Sequence, residues 1–127
     1  MRKIIEDWLG QSQHDLKVAK DNFNLGNFDV VALYSQQAVE LALKALYMLK
    51  FNKTAPKTHD LAMLLDKLDA PNNIMVIAEQ LMPGCVISRY PDLAGTSPFK
   101  FYSKDSSKKL LEAAEEALIW ITKQSNL

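Results

Sequence analysis

The chain has 127 residues, of which 48% are hydrophobic and 24% are charged, and its 15 basic and 15 acidic residues leave no net charge. This length predicts a single domain, spanning residues 1–127, with enough apolar side chains to bury a core. A neutral chain has no overall field that attracts nucleic acid or an anionic membrane, so such contacts would need a local patch of charge.

Apolar residues near the start of the chain recur at steps of three or four, which predicts an amphipathic helix over residues 4–25. Gly26 can adopt the left-handed conformation that ends helices at little cost, so we expect the helix to stop beside it. The predicted buried face consists of Ile5, Trp8, Ser12, Leu16, Ala19 and Phe23.

A second helix is predicted from about Phe28 to Lys50, and it is apolar on almost every side between Val30 and Leu49. A helix with so little polar surface must be covered from several directions. In so small a domain, we expect a partner chain to supply part of that cover, which predicts a homodimer.

Two shorter helices are predicted in the middle of the chain. Residues 51–57 form a loop, and Thr58 is a suitable N-cap for a third helix that runs through Leu68. The segment 69–71 opens a fourth helix, with its proline tolerated in the first turn. Pro83-Gly84 is expected to kink or break that helix.

The last part of the chain is predicted to be a long loop followed by a helix. Residues 88–102 hold two prolines and a glycine, which disfavour regular structure. The final helix begins near Ser103. Together these elements predict an all-α fold, an antiparallel four-helix up-and-down bundle with one extra short helix.

A polar stripe interrupts the apolar second helix. Gln36, Glu40 and Lys44 are spaced four residues apart, and Gln37 lies beside the same line. Glu40 precedes Lys44 by four residues, the better orientation for an ion pair within a helix. The stripe is either the solvent edge of the helix or a polar seam that lines a groove and offers Lys44 to a phosphate.

Arg89 lies in the predicted loop and is, with Arg2, one of two arginines in the chain. Its guanidinium group can bind a phosphate through two hydrogen bonds, and Tyr90 offers a ring face on which a base can stack. Alternatively, Arg89 pairs with Asp92 and stiffens the turn that Pro91 fixes.

Several kinds of site are not expected. Cys85 is the only cysteine, which excludes an internal disulfide, and we predict that it is a small buried hydrophobic residue. With two histidines, no metal site is expected: His14 is predicted on the surface, and His59 either makes a structural hydrogen bond or contacts a ligand. The phosphate-binding and nucleophile motifs GxxxxGK[ST], GxGxxG and GxSxG are absent, so no catalytic residue is predicted.

The N-terminal residues 1–7 are charged, and no apolar signal-peptide core follows them. No stretch of the chain approaches the roughly eighteen apolar residues that a membrane-spanning helix needs. We therefore predict a cytoplasmic protein that does not contact a membrane.

Four segments, which together span almost the whole chain, resemble those of the HEPN family in the same order. Trp8 and Asp15-Leu16-Lys17-Val18-Ala19 are similar to the first helix of that family, and YSQQAVELALKA over residues 34–45 is similar to its second helix. Thr58-His59-Asp60-Leu61 is similar to its THDL segment, and Arg89-Tyr90-Pro91-Asp92 is similar to its RYPD segment.

The resemblance implies a four-helix bundle with an extra helix, usually dimeric, that binds nucleotides or nucleic acid. It also implies, as partner, a small nucleotidyltransferase encoded alongside. Many relatives are ribonuclease toxins in which four to six residues separate an arginine from a histidine. The positions at that spacing are residues 94–96 after Arg89 and residues 7–9 after Arg2. None of them is a histidine, so ribonuclease activity is not expected.

The sequence thus predicts a non-catalytic nucleotide-binding homodimer, paired with a nucleotidyltransferase in a toxin–antitoxin-like system. The alternatives are a degenerate ribonuclease, in which folding brings Arg89 and His59 together, and a structural adaptor. Candidate ligands are ATP or another nucleotide, with Mg²⁺, and RNA. The predicted nucleotide contacts are Gln37, Glu40, Lys44, His59, Arg89, Tyr90 and Asp92.

Overall fold

The computed structural model describes residues 2–126 apart from the side chain of Cys85, and its regular elements in that range are all helices. The all-α bundle predicted from the sequence is confirmed. Among residues 2–126, every helix is too short or too polar to span a lipid bilayer. The elements are α1 (Arg2–Leu25), α2 (Phe28–Phe51), α3 (Leu61–Lys67), α4 (Asn72–Leu81), α5 (Gly84–Ile87), α6 (Pro91–Ala94), α7 (Pro98–Phe101) and α8 (Lys104–Ser125).

The turn between α1 and α2 is set by Gly26. Its φ angle is 81°, in the left-handed region that residues with a Cβ atom rarely adopt, and α1 ends at Leu25 as the sequence predicts. Ile5 and Ala19 are buried on the predicted face of α1, which packs along α2. His14 is exposed, as predicted.

The central helix is α2, which contacts α1, α8, α3, α4, α5 and α7. More than half of its residues are buried within a single chain. Helices of the same chain supply much of the cover that α2 needs, and its residues that are not buried, which include Leu49 and Phe51 at 38% exposure each, are those that a partner chain could cover. The homodimer remains a prediction that follows from the family resemblance.

The hydrophobic core lies between α2, α3, α4 and α8. Each large aliphatic side chain that is fully buried contributes roughly 1.5–3 kcal/mol to folding. The largest of these side chains are Leu43, Leu61, Leu64, Leu65, Leu81 and Ile121.

The start of α3 differs from the prediction. The N-cap is Asp60, whose carboxylate accepts a hydrogen bond of 3.0 Å from the backbone N–H of Met63. The hydroxyl of Thr58, the predicted cap, instead accepts from the Asp60 backbone N–H. Both side chains satisfy backbone donors, but Asp60 lies next to the first helical residue and takes the capping position.

The predicted break at Pro83-Gly84 is confirmed, since α4 ends at Leu81 and α5 begins at Gly84. The last helix begins where predicted, and Ser103 and Ser106 form a reciprocal capping box at its start. The prediction for Cys85 concerns a side chain outside the part that the structure describes.

The prediction of a loop over residues 88–102 is wrong, because the single-turn helices α6 and α7 lie in this segment. Pro91 and Pro98 are the first residues of these helices. Proline has no backbone N–H and a fixed φ angle, and neither property disturbs the first turn of a helix. The two prolines therefore begin helical turns, although prolines grouped in a short segment commonly indicate irregular structure.

Gly84 allows α5 to pack directly against the backbone of α2. A Cβ atom at Gly84 would lie 2.7 Å from the carbonyl oxygen of Ala32 and 3.2 Å from its carbonyl carbon. Backbone atoms cannot rotate away as the end of a side chain can, so any larger residue at position 84 requires α5 to shift.

We expect Gly84→Ala to lower the free energy of unfolding by about 1–3 kcal/mol, the usual cost of overpacking. Gly10→Ala is the matched control, because Gly10 lies within α1 and a Cβ there meets nothing within 4 Å. That control should raise the free energy of unfolding by about 0.5–1 kcal/mol. Urea denaturation measures both, and equal stabilisation by the two variants would contradict the close approach of α5 and α2.

Candidate functional site

The polar stripe of α2 lies inside the protein. Gln36 is 1% exposed, Glu40 7% and Lys44 8%. These values exclude the interpretation of the stripe as a solvent edge. Buried polar groups must find partners within the protein, because transferring an unsatisfied one from water to an apolar environment costs about 2–7 kcal/mol.

Glu40 supplies those partners. One carboxylate oxygen, Oε2, lies 3.1 Å from the ammonium nitrogen of Lys44, which confirms the predicted ion pair. The other oxygen, Oε1, lies 2.9 Å from Nδ1 of His59 and accepts a hydrogen bond of 3.3 Å from the amide of Gln36. We call these four residues, Gln36, Glu40, Lys44 and His59, the Glu40 cluster.

His59 is the member of the Glu40 cluster that reaches the surface. Its side chain is 74% exposed, whereas the side chains of Glu40 and Lys44 are each 10% exposed. An ionised Glu40 can only accept hydrogen bonds, so in that state Nδ1 carries the proton of the His59–Glu40 bond. The other ring nitrogen, Nε2, accepts a hydrogen bond when the ring is neutral and donates one when it is charged. The cluster thus fixes the orientation of a solvent-facing imidazole.

Gln37 belongs to a second group, in the seam between α1 and α2. Its amide donates to Oδ2 of Asp15 at 3.0 Å, and the amide of Gln11 donates to Oδ1 at 2.9 Å. Beside them, the hydroxyl of Ser12 donates to the backbone carbonyl of Ala38 at 2.7 Å. The Gln37–Asp15 and Ser12–Ala38 bonds hold α1 in register with α2, and the Gln11–Asp15 bond lies within α1.

Asp15 is the residue that the sequence analysis missed. It is 1% exposed, and its carboxylate is not among the predicted contact residues. A signal was available, because Asp15 follows Ser12 by three residues and precedes Ala19 by four. That spacing places a carboxylate on the buried face of the helix, where it needs partners.

Arg89, Tyr90 and Asp92 form a third group at the corner between α5 and α6. The guanidinium carbon of Arg89 lies 5.7 Å from the centre of the Tyr90 ring, within the range of a cation–π interaction. Tyr90 is the N-cap of α6 and is 48% exposed, and Asp92 lies in the first turn of that helix. Arg89 and Asp92 are also exposed. The structure therefore distributes the predicted contact residues over three groups.

A wide opening in the surface lies elsewhere, between α4 and α8. It is a cleft of about 880 Å³, and none of the seven predicted contact residues lines it. Its walls are mainly apolar and include Val76, Ile87 and Phe101. Tyr102 also lines the cleft, and burial, with a smaller effect of the Asp29 carboxylate, raises the pKa of its hydroxyl to about 12.

Within residues 2–126 as described, no three side chains of His, Cys, Asp or Glu come close enough together to hold a metal ion. The chemistry that the predicted contact residues offer is hydrogen bonding, proton transfer, ionic attraction and stacking. The imidazole of His59, the guanidinium of Arg89 and the ring of Tyr90 are the groups placed to offer it at the surface.

Removing one partner of a buried ion pair should destabilise the fold. We expect Lys44→Met to lower the free energy of unfolding by about 3 kcal/mol, because it leaves the buried Glu40 carboxylate without its buried counterion. The double variant Glu40→Gln/Lys44→Met has no such unpaired charge and should lose less. Urea denaturation distinguishes them, and a single variant as stable as the double one would contradict the arrangement.

Tyr102 should make stability depend on alkaline pH. The folded protein keeps the hydroxyl proton up to about pH 12, while the unfolded chain loses it near the ordinary value of 10.0. Between these limits the folded state binds more protons, so the free energy of unfolding falls as pH rises. Thermal unfolding of wild type and Tyr102→Phe should show a smaller decline for the variant, and parallel declines would argue against a buried hydroxyl.

Comparisons with known proteins agree with this architecture. A family model described as "HEPN domain" matches residues 5–124. The crystal structure of TT1696 from Thermus thermophilus superposes with a TM-score of 0.86 at 26% sequence identity, covering 94% of this chain and 97% of that one. ST0689, described as an archaeal HEPN homologue, gives a TM-score of 0.83 at 27% identity, covering 95% of this chain and 97% of its own.

No curated protein gives a significant match to the chain. The family match nevertheless covers nearly the whole chain and includes all four segments on which the resemblance was based. The chain belongs to the HEPN domain family.

Proposed function

We propose that this HEPN domain is a non-catalytic, nucleotide-binding protein that works as a homodimer. The observation that carries the proposal is the Glu40 cluster, in which buried charges hold an exposed imidazole. Burying Glu40 and Lys44 is less favourable than burying apolar side chains of similar size. We infer that the protein keeps this unfavourable buried ion pair because the Glu40 cluster holds His59 in one orientation at the surface.

The nucleotide contacts follow from exposure and chemistry. Arg89 binds phosphate oxygens, and the neighbouring Tyr90 ring stacks on the base. The outer ring nitrogen of His59 makes a polar contact. Lys44 lies below the surface and forms an ion pair with Glu40. It acts as the counterion that keeps the carboxylate in place.

Gln37 and Asp92 support the site. Gln37 bonds to Asp15 and fixes α1 against the helix that carries the Glu40 cluster. Asp92 lies in the first turn of α6, where the helix dipole favours a negative charge and steadies the corner that presents Arg89 and Tyr90.

The family resemblance supports two partners. One is a second copy of the chain, and the other is a small nucleotidyltransferase, as in a toxin–antitoxin pair. Because α2 is covered by its own chain, we place the dimer contact on the outer surface of the bundle.

A second candidate function, cleavage of RNA, is favoured by one observation, the bond between Glu40 and His59. A carboxylate that orients an imidazole is a common arrangement for proton transfer. The ribonuclease spacing of arginine and histidine is absent from the sequence, so we rank this candidate second. Cleavage of labelled RNA by the wild type that is lost in His59→Ala would reverse the order.

Calorimetric titration with ATP, with and without Mg²⁺, tests nucleotide binding. We expect micromolar affinity, about −8 kcal/mol. Arg89→Ala should weaken it roughly tenfold or more, since a hydrogen bond to a charged group contributes about 1.5–3 kcal/mol. His59→Ala should weaken it less. Lys123→Ala is the control, because this exposed lysine lines a groove between α1 and α8 that none of the proposed contacts lines.

The oligomeric state follows from sedimentation of the same protein with and without ATP, and a dimer is expected. An absence of heat and of thermal stabilisation with ATP and other nucleotides would reject nucleotide binding. The structural adaptor would then be the better description of this domain.

A further inference from the structure

The cleft between α4 and α8 is not used by the proposed function. Its volume is about 880 Å³, and none of the proposed nucleotide contacts lines it. Sites for small molecules have volumes of about 300–1,000 Å³, with mostly apolar walls and a few polar groups that fix the ligand. The volume and the mainly apolar walls of this cleft match that description, so its polar groups decide which ligand it suits.

The cleft is elongated along α8. Its wall on that helix runs from Ser106 to Glu116, a length of about 15 Å at the helical rise of about 1.5 Å per residue. Apolar side chains along this length include Val76 on α4, Leu110 on α8 and Phe101 on α7. Val76 is 50% exposed and Phe101 is 48% exposed, so a ligand that covers them removes apolar surface from water. This shape suits an extended apolar chain.

The far part of the α8 wall is negatively charged. Glu112 and Glu116 line the cleft one helical turn apart, a spacing at which like charges repel each other. Neither carboxylate forms an ion pair or a side-chain hydrogen bond with a residue in the part of the chain that the structure describes. Glu115 lies between them and differs, because it pairs with Lys20 at 3.7 Å. Lys109 also lines the cleft and offsets at most one of the two charges, so a bound cation would relieve the repulsion.

The other end of the cleft holds the hydroxyl of Tyr102. This residue lies just before α8, lines the cleft and is 8% exposed. Its hydroxyl makes no hydrogen bond with any residue that the structure describes, although the hydroxyl of a buried tyrosine usually has a partner. The group keeps its proton up to about pH 12, so it offers both a donor and an acceptor to a ligand.

We propose that this opening, which we call the α4–α8 cleft, binds an elongated organic cation with an ammonium group at one end and a hydrogen-bonding group at the other. The ammonium group lies between Glu112 and Glu116. The apolar chain packs along Val76 and Leu110, and the far group bonds to the hydroxyl of Tyr102. The two carboxylates would repel a phosphate, which disfavours a nucleotide in this cleft. The inference is therefore independent of the proposed nucleotide site.

Calorimetric titration at pH 7 with aminodecanol, a straight decyl chain with an ammonium group at one end and a hydroxyl at the other, tests the proposal. Decanediol, in which a second hydroxyl replaces the ammonium group, is the matched neutral ligand. It should bind about fivefold more weakly, since an exposed ion pair contributes up to a factor of about five. Equal binding of the two ligands would overturn the proposal, because it would show that the carboxylates do not recognise the cation.

Substitutions on α8 locate the cation. Glu112→Gln/Glu116→Gln should abolish the preference for aminodecanol over decanediol and leave the affinity for decanediol unchanged. Glu115→Gln is the matched control, because Glu115 lies on the same helix but lines the groove beside α1. The control should keep the preference. A preference that survives the double substitution would contradict the assignment of the ammonium group to this cleft.

Decylammonium, which lacks the far hydroxyl, tests the other end of the α4–α8 cleft. The ratio of aminodecanol affinity to decylammonium affinity should be about two- to tenfold higher in the wild type than in Tyr102→Phe, as expected for one hydrogen bond. Comparing the ratios removes the effect of the more apolar chain of decylammonium, which is the same in both proteins. Identical ratios would reject the two-ended ligand.

The outcomes are separate from those of the proposed function. If aminodecanol binds and ATP does not, the α4–α8 cleft stands without the nucleotide site. If ATP competes with aminodecanol, one site serves both ligands and the inference is rejected. If no amine binds and Val76→Glu converts a dimer into monomers in sedimentation, the cleft is a contact between two copies of the chain, which would also overturn the inference.

Discussion

The fold depends on one constraint, which is that α2 is surrounded by its own chain and must satisfy its polar groups inside the protein. Three sets of bonds meet most of that requirement along its length, although the buried hydroxyl of Ser35 has no hydrogen-bond partner among the described residues. Ser12 donates to the α2 backbone, Asp15 accepts from Gln37, and Glu40 joins Lys44 to His59. Each bond also fixes a neighbouring element, since the first two align α1 and the third ties the segment before α3 to α2. The polar residues of α2 therefore specify which neighbours lie where, while the leucines around them provide most of the stabilisation.

Much of the fold could be predicted because long helices carry a strong periodic signal. The spacing of apolar residues located α1, α2 and α8, and Gly26 marked the first turn through its backbone freedom. α6 and α7 could not be found in this way, because a helix of a single turn has no repeat to detect. How much of the cover of α2 comes from its own chain could not be predicted either. Composition shows that a helix must be covered, but it does not show whether the covering side chains come from the same chain.

Individual residues of the candidate site could be predicted from the sequence, but their arrangement in space could not. Glu40 and Lys44 are one helical turn apart, so their pairing follows from spacing alone. His59 is 19 residues from Glu40, and only the packing of the loop after α2 brings the two together.

The contact between Gly84 and Ala32 has a mechanical consequence. Most neighbouring helices are separated by a layer of side chains, which can change rotamer and absorb a small displacement. Here that layer is missing, and a main-chain carbonyl faces the first residue of α5 across the gap that a methyl group would fill. A displacement of α5 by a molecule bound to the segment that follows it would therefore be transmitted to the main chain of α2, because no layer of side chains lies between them to absorb it. The outer surface of the protein and its most deeply buried helix are thus joined by a stiff link.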